Sequence, residues 1–128
     1  MTPDNAPKDN HQLLKEILDD LVVKNPNIFT ALVVSDEGLK VASGIPHPGD
    51  DGLSLTASNL MDSAKEFSGN LQQGRLNRII LEGEQRITIV MVAGKHTILV
   101  VLTTPDEKLG LITMSMRRAA DQIAAIFG

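Results

Sequence analysis

The sequence contains no cysteine, tryptophan or tyrosine, and only three of its 128 residues are aromatic, all of them phenylalanine. The absence of cysteine excludes disulfides, cysteine-ligated metal sites and cysteine nucleophiles, and it is typical of a reducing compartment, so we expect a cytoplasmic protein. The core must be built mainly from Val, Ile, Leu, Met and Ala. Hydrophobic residues make up 42% and charged residues 22%, which is typical of one globular domain.

Long apolar runs and a basic surface are also absent. The apolar run Ile98–Leu102 is far too short to span a bilayer, so we expect no membrane insertion. The formal net charge is −4, and a surface of that sign repels phosphate backbones, so we expect no nucleic-acid partner.

No catalytic or cofactor-binding motif is present. The patterns GxxxxGK[ST], GxSxG and HExxH do not occur. His11, His47 and His96 lie apart, and solvated or capping histidines are the more typical interpretation. His47 beside Asp50 and Asp51 could hold a divalent ion weakly, but such aspartates usually initiate the following helix. We therefore expect no enzyme activity, no metal and no cofactor.

Paired arginines near the C-terminus allow one catalytic hypothesis. Arg117 and Arg118 could supply an arginine finger to a nucleotide-hydrolysing partner. A surface pair, with Arg117 bridged to Asp121 one helical turn later, is the better interpretation, because a packed helix cannot readily reach a nucleotide. Arg75 and Arg78 are alternative candidates, although protection of a sheet edge explains them equally well.

Apolar periodicity predicts three helices and five strands. Short turns between successive strands make them antiparallel, and Ile98–Leu102, apolar on both faces, should be the central strand. Polar residues in Leu76–Leu81 suit an edge strand. The predicted elements are a helix capped by Asp9 or Asn10 and ending at Asn25-Pro26-Asn27, a hairpin at Ile28–Gly44, a loop at Ile45–Gly52, a helix at Leu53–Asn70, strands at Leu76–Leu81, Arg86–Val92 and His96–Thr103, and a helix after Pro105.

This order, α-β-β-α-β-β-β-α, predicts an α+β fold with one five-stranded antiparallel sheet and helices on both faces. We expect a flexible tail at residues 1–10 and a single domain at 11–128. The predicted buried stripe of the second helix is Ala57, Leu60, Met61, Ala64 and Leu71. That of the last helix is Ile112, Met116, Ala119, Ala120, Ile123 and Phe127.

Three segments carry a resemblance to a known family. They are Ala31–Leu39 with its Asp36-Glu37-Gly38 turn, Ser58–Met61 of the second helix, and Leu109–Ile112 leading into Met116–Ala120. In this order they resemble the Roadblock/LC7 family of small dimeric domains, in particular its bacterial and archaeal MglB-like regulators of small Ras-like GTPases. The resemblance implies the same fold and a non-catalytic dimeric platform that binds such a GTPase.

The resemblance also implies two sets of contact residues. A homodimer would form through the edge strand and the second helix, by way of Leu76, Arg78, Ile79, Ile80, Leu60 and Ala64. The outer face of that helix and the adjacent strand would contact the GTPase, by way of Ser58, Asp62, Lys65, Glu66 and Asn77. Two alternatives stay open: a light-chain-type scaffold with no effect on the nucleotide cycle, and a small-molecule sensor.

Overall fold

The computed structural model describes residues 8–105 and 108–127. Residues 1–7 of the predicted tail lie outside this part of the chain. Along the sequence the elements are α1 (Asn10–Lys24), β1 (Ile28–Ser35), β2 (Lys40–Ser43), α2 (Asp50–Asn70), β3 (Arg78–Glu82), β4 (Ile87–Val92), β5 (Thr97–Thr103) and α3 (Leu109–Phe127).

The five strands form one antiparallel sheet in the order β2-β1-β5-β4-β3. β5 occupies the centre, where both of its faces are covered, and this explains its uninterrupted apolar run. Val100 on one face and Val101 on the other are both fully buried. The predicted fold class, the central strand and the edge position of β3 are confirmed.

Helices cover the two faces of the sheet unequally. α1 and α3 lie side by side on one face, which we call the closed face. They bury Leu14, Leu18, Ile112, Met116 and Ile123 against the sheet. α2 covers the other face alone, mainly over β1 and β2, and contributes Ala57 and Met61 to a smaller cluster with Leu32, Val34, Val90 and Val100. We call this second face the open face.

Local chemistry sets the beginning of α1 and the first hairpin. Asp9 caps α1: its side chain accepts a hydrogen bond from the Gln12 backbone N–H at 2.8 Å, and the Gln12 side chain accepts one from the Asp9 backbone. In the β1–β2 turn, Gly38 has φ of +83°, a backbone conformation that residues other than glycine rarely adopt. Both features were predicted from the sequence.

Several predicted boundaries are wrong by one to three residues. α2 begins at Asp50 instead of Leu53, because the buried Asp50 carboxylate accepts the backbone N–H of His47 at 3.1 Å and organises the first turn. β3 begins at Arg78, and Leu76 lies in the preceding loop. β4 and β5 each begin one residue later than predicted.

Two residues predicted in buried stripes are exposed. Leu71 is 53% exposed, because α2 ends at Asn70 and covers only part of the open face. Phe127 is 44% exposed, because Ile123 and Ile126 already supply the core contacts of the last turn of α3. Within residues 8–105 and 108–127, none of the helices combines the length and apolar character needed to cross a bilayer.

Candidate protein-interaction surface

The free side of β3 is the first part of the candidate surface. β3 pairs with β4 on one side only and is the last strand of the sheet. Its five residues therefore present backbone N–H and C=O groups that no other described strand meets. Such an edge is a template for pairing with another chain.

Apolar side chains emerge from both faces of this edge. Ile79 and Leu81 lie on the open face, whereas Ile80 lies on the closed face opposite Ile89. Leu81 is 48% exposed and Ile80 is 37% exposed. An edge strand protected against association usually carries charge or proline at such positions, and β3 carries Arg78 and Glu82 only at its ends.

A second partly exposed apolar stripe lies on α2, which covers the same open face of the sheet as Ile79 and Leu81. Leu60, Ala64, Phe67 and Leu71 recur at intervals of four, three and four residues, which places them along one side of the helix. Leu60 and Ile79 each pack against the hydrophobic cluster of the open face. Farther along the stripe, Phe67 is 66% exposed. The α2–β3 patch is defined as Leu60, Ala64, Phe67, Leu71, Ile79 and Leu81.

The structure brings together three of the residues assigned to a dimer interface. Leu60, Leu76 and Ile79 pack on the same cluster of the open face. Arg78 is exposed and stands opposite Met91, so its side chain lies on the other face of the sheet from Ile79.

Sequence reasoning named Leu81 with Ile79 and Ile80 as apolar residues of the edge, but it missed Phe67. The spacing of Phe67 and Leu71 relative to Leu60 was a usable signal, because it defines a second apolar stripe beside the buried Ala57 and Met61.

The polar set assigned to a GTPase contact needs one correction. Ser58 is buried, not exposed, and its hydroxyl donates to the Asp36 carbonyl at 3.2 Å. This hydrogen bond joins α2 to the β1–β2 turn, so the Ser58 side chain is not available to a partner. Asp62, Lys65 and Glu66 are exposed on α2, as predicted. Asn77 is exposed as well, and its carbonyl accepts the Val92 N–H at 3.0 Å.

Mixed charges surround these exposed residues. Asp62 and Lys65 line a small cleft together with Asp36 and His96. The His96 Nδ1 lies 2.7 Å from an Asp36 carboxylate oxygen. The surface therefore offers paired donors and acceptors, as the polar rim of a protein interface does.

The metal hypothesis at His47 receives no support from the geometry. The His47 Nε2 lies 2.8 Å from the Phe29 carbonyl oxygen, and the Asp50 carboxylate is engaged by the His47 backbone. In the part of the chain that the structure describes, no cluster of three or more His, Asp or Glu side chains could hold a metal ion.

Comparison with known proteins identifies the family. The Roadblock/LC7 domain profile matches residues 14–103, which is well over half of the chain. The chain belongs to the Roadblock/LC7 family. Among relatives in sequence, the uncharacterized protein MJ0310 of Methanocaldococcus jannaschii is 38% identical over 105 residues, covering 81% of this chain and 91% of that protein.

Solved structures show the same fold. The gliding protein MglB of Thermus thermophilus superimposes with a TM-score of 0.85 at 20% identity, covering 94% of this chain and 93% of that one. An MglB described in a tetrameric arrangement gives 0.86 at 21% identity, covering 94% of this chain and 92% of that one. These likenesses establish the three-layer architecture and leave the partners of this chain to be inferred from its own surface.

Proposed function

We propose that two copies of this Roadblock/LC7 chain pair through the α2–β3 patch, and that the dimer is a non-catalytic platform that binds and regulates a small Ras-like GTPase. The observation that carries the proposal is the exposed apolar stripe of α2 beside an unpaired sheet edge. The resemblance to MglB-like regulators of small Ras-like GTPases, together with membership of the Roadblock/LC7 family, supports this class of partner.

Dimerisation follows from the geometry of the edge. Two β3 strands related by a two-fold axis run antiparallel, so they can join two five-stranded sheets into one. Each α2 then lies near the open face of the other copy, where Phe67 and Leu81 lose solvent contact. The tetrameric arrangement named for one MglB relative supports self-association through this fold.

The GTPase contact would lie on the outer side of the paired α2 helices. Asp62, Lys65 and Glu66 face solvent there, and Asn77 lies at the adjoining end of the sheet. A platform of this kind changes a nucleotide cycle by binding one state of the switch loops more tightly than the other. It needs no catalytic side chain of its own, which is consistent with a sequence that carries no nucleophile motif or nucleotide-binding loop.

Two sequence features support a cytoplasmic location as part of the proposal. The chain has no cysteine and no predicted membrane segment.

An affinity capture tests the partner class directly. The tagged protein is incubated with native cell extract in the presence of GDP or of a non-hydrolysable GTP analogue. We expect a Ras-sized GTPase to be retained mainly with the GTP analogue, followed by a measurable change in its hydrolysis rate. Retention of larger subunits regardless of nucleotide would instead favour the scaffold function.

A charge-swapped variant tests the contact surface. Lys65→Glu with Glu66→Arg reverses two exposed charges of α2 and keeps the net charge constant. We expect at least tenfold weaker GTPase binding with an unchanged dimer. The matched control is Lys15→Glu with Asp19→Arg, which swaps an exposed ion pair on α1 across the sheet. Equal affinities for both variants would remove the outer face of α2 from the proposal.

A further inference from the structure

A cavity of about 660 Å³ lies at one end of the sheet, separate from the α2–β3 patch. The C-terminal end of α2, the loop at 71–77, the β4–β5 turn and the second half of α3 enclose it. Its volume falls within the range of small-molecule sites.

Positive side chains from four different segments converge on this cavity. Lys65 comes from α2, Arg75 from the loop, Lys95 from the β4–β5 turn and Arg117 from α3. The lining includes one carboxylate, Asp121, whose oxygen lies 3.9 Å from Arg117. This concentration of positive charge contrasts with the net charge of −4 of the whole chain.

Three of these four cations have no ion-pair partner among residues 8–105 and 108–127. Among the ion pairs of that part of the chain, none joins a carboxylate to Lys65, Arg75 or Lys95. Cations held around one concave space repel one another, and an anion placed between them relieves that repulsion.

Hydrogen bonds within the chain shape part of the cavity wall. The Ser68 hydroxyl donates to the Gly74 carbonyl at 3.4 Å, and the Gln73 N–H donates to the Ser68 carbonyl at 3.1 Å. These contacts fold the loop back onto the end of α2. A preformed site of this kind avoids part of the ordering cost of binding.

Part of the lining is apolar. Leu76, Val92, Ala120 and Ala124 lie among the cations. A bare inorganic anion would leave this surface unused, whereas an organic phosphate would place its phosphate groups on the cations and its organic part on the apolar wall. Lysine and arginine are both common phosphate ligands.

We propose that this cavity binds a small organic molecule that carries phosphate groups, with the phosphates on the cations and the organic part on the apolar wall. Arg75, Lys95 and Arg117 are the side chains that carry the site. Lys65 and Asn77 line the cavity and also belong to the proposed GTPase contact. The variants that test the cavity are therefore made at Lys95 and Arg117, which lie outside that contact, so that the two proposals can fail separately.

Calorimetric titration with ADP and with inorganic pyrophosphate tests the proposal on the full-length protein. We expect saturable ADP binding with a Kd below about 1 mM, and weaker binding of pyrophosphate because it lacks the organic part. Amide resonances of Gly74, Gly94 and Lys95 should shift during the titration. The proposal would be overturned if ADP did not bind or if pyrophosphate bound as tightly as ADP. It would also be overturned if the shifts were confined to other residues.

A pair of charge-matched variants locates the site. Lys95→Gln with Arg117→Gln removes two cavity cations, whereas Lys40→Gln with Arg118→Gln removes two exposed cations outside the cavity, one of them from the adjacent residue of α3. We expect at least tenfold weaker ADP binding for the first variant and unchanged binding for the second. Equal losses for both variants would mean only a general response to charge and would contradict the assignment.

Discussion

The two faces of the same sheet differ in how completely they are covered. On the closed face, α1 and α3 lie side by side, and Leu18, Leu99 and Met116 are fully buried there. On the open face, α2 alone covers mainly β1 and β2. At the far edge of that face Leu81 remains 48% exposed.

The difference shows where stability and association come from. Burial of apolar area contributes roughly 25 cal/mol per Å², so the larger buried cluster of the closed face supplies the larger hydrophobic contribution to folding. The open face leaves apolar area that a second copy can still bury. The closed face therefore contributes more to the stability of one chain, and the open face has exposed apolar side chains that a partner could cover.

The largest expected effect comes from comparing a large-to-small substitution on each face of the sheet. Leu18→Ala on the closed face is expected to lower the free energy of unfolding by about 2–5 kcal/mol, because it leaves a cavity in a close-packed core. Leu60→Ala on the half-covered open face should lower the free energy of unfolding by less than half of that amount. Urea unfolding at low protein concentration measures both, and equal losses would contradict the proposed difference between the faces.

The attachment of α2 to the open face depends on a close contact with the β1–β2 turn. A Cβ atom at Gly38 would lie 2.9 Å from Leu55 Cδ1 and 3.3 Å from Leu55 Cα, in a backbone conformation with φ of +83°. Gly38→Ala should therefore destabilise the fold by about 1–3 kcal/mol.

Gly69→Ala is the control for this substitution, because a Cβ atom there meets nothing within 4 Å and the residue is helical. It should stabilise the protein by about 0.5–1 kcal/mol. Thermal unfolding measures both variants. If Gly38→Ala and Gly69→Ala shifted the Tm in the same direction, this account of the turn would be wrong.

Loss of the α1 cap should have a smaller effect on the closed face. Asp9→Ala removes the acceptor for the Gln12 N–H and should cost about 1 kcal/mol. Asp9→Asn keeps an acceptor at the same place, so most of the stability should return. Chemical denaturation of the two variants measures this, and identical midpoints would exclude a capping role.

The fold was largely predictable, because its signals are local. Helical spacing of Leu14, Leu18 and Leu21, the apolar character of β5 and the short turns determine element order and pairing. Boundaries were less accurate where a single buried side chain decides them. The sequence places Asp50 in the predicted loop because of the prolines and glycines around it, although its contact with the His47 N–H spans only three residues.

The surfaces were only partly predictable. Helical spacing places Leu60 and Ala64 in the apolar stripe of α2, and the family resemblance implies their role in a dimer. The exposure of Phe67 depends on how far α2 extends over the sheet. Ser58 was misplaced because its partner, the Asp36 carbonyl, is distant in sequence. The cationic cavity joins four separate segments, and nothing in any one of them indicates the others.

The mass of the protein in solution tests the central claim about the open face most directly. Light scattering coupled to size exclusion is run at high micromolar concentration on the unmodified chain, on Phe67→Glu with Leu81→Glu, and on the control Val23→Glu with Leu39→Glu. All four positions are exposed and apolar, but only the first two lie in the α2–β3 patch.

We expect twice the 13.8 kDa chain mass for the unmodified protein and the control, and the single chain mass for the patch variant. A monomeric unmodified protein, or a dimer that survives both patch substitutions, would contradict the account.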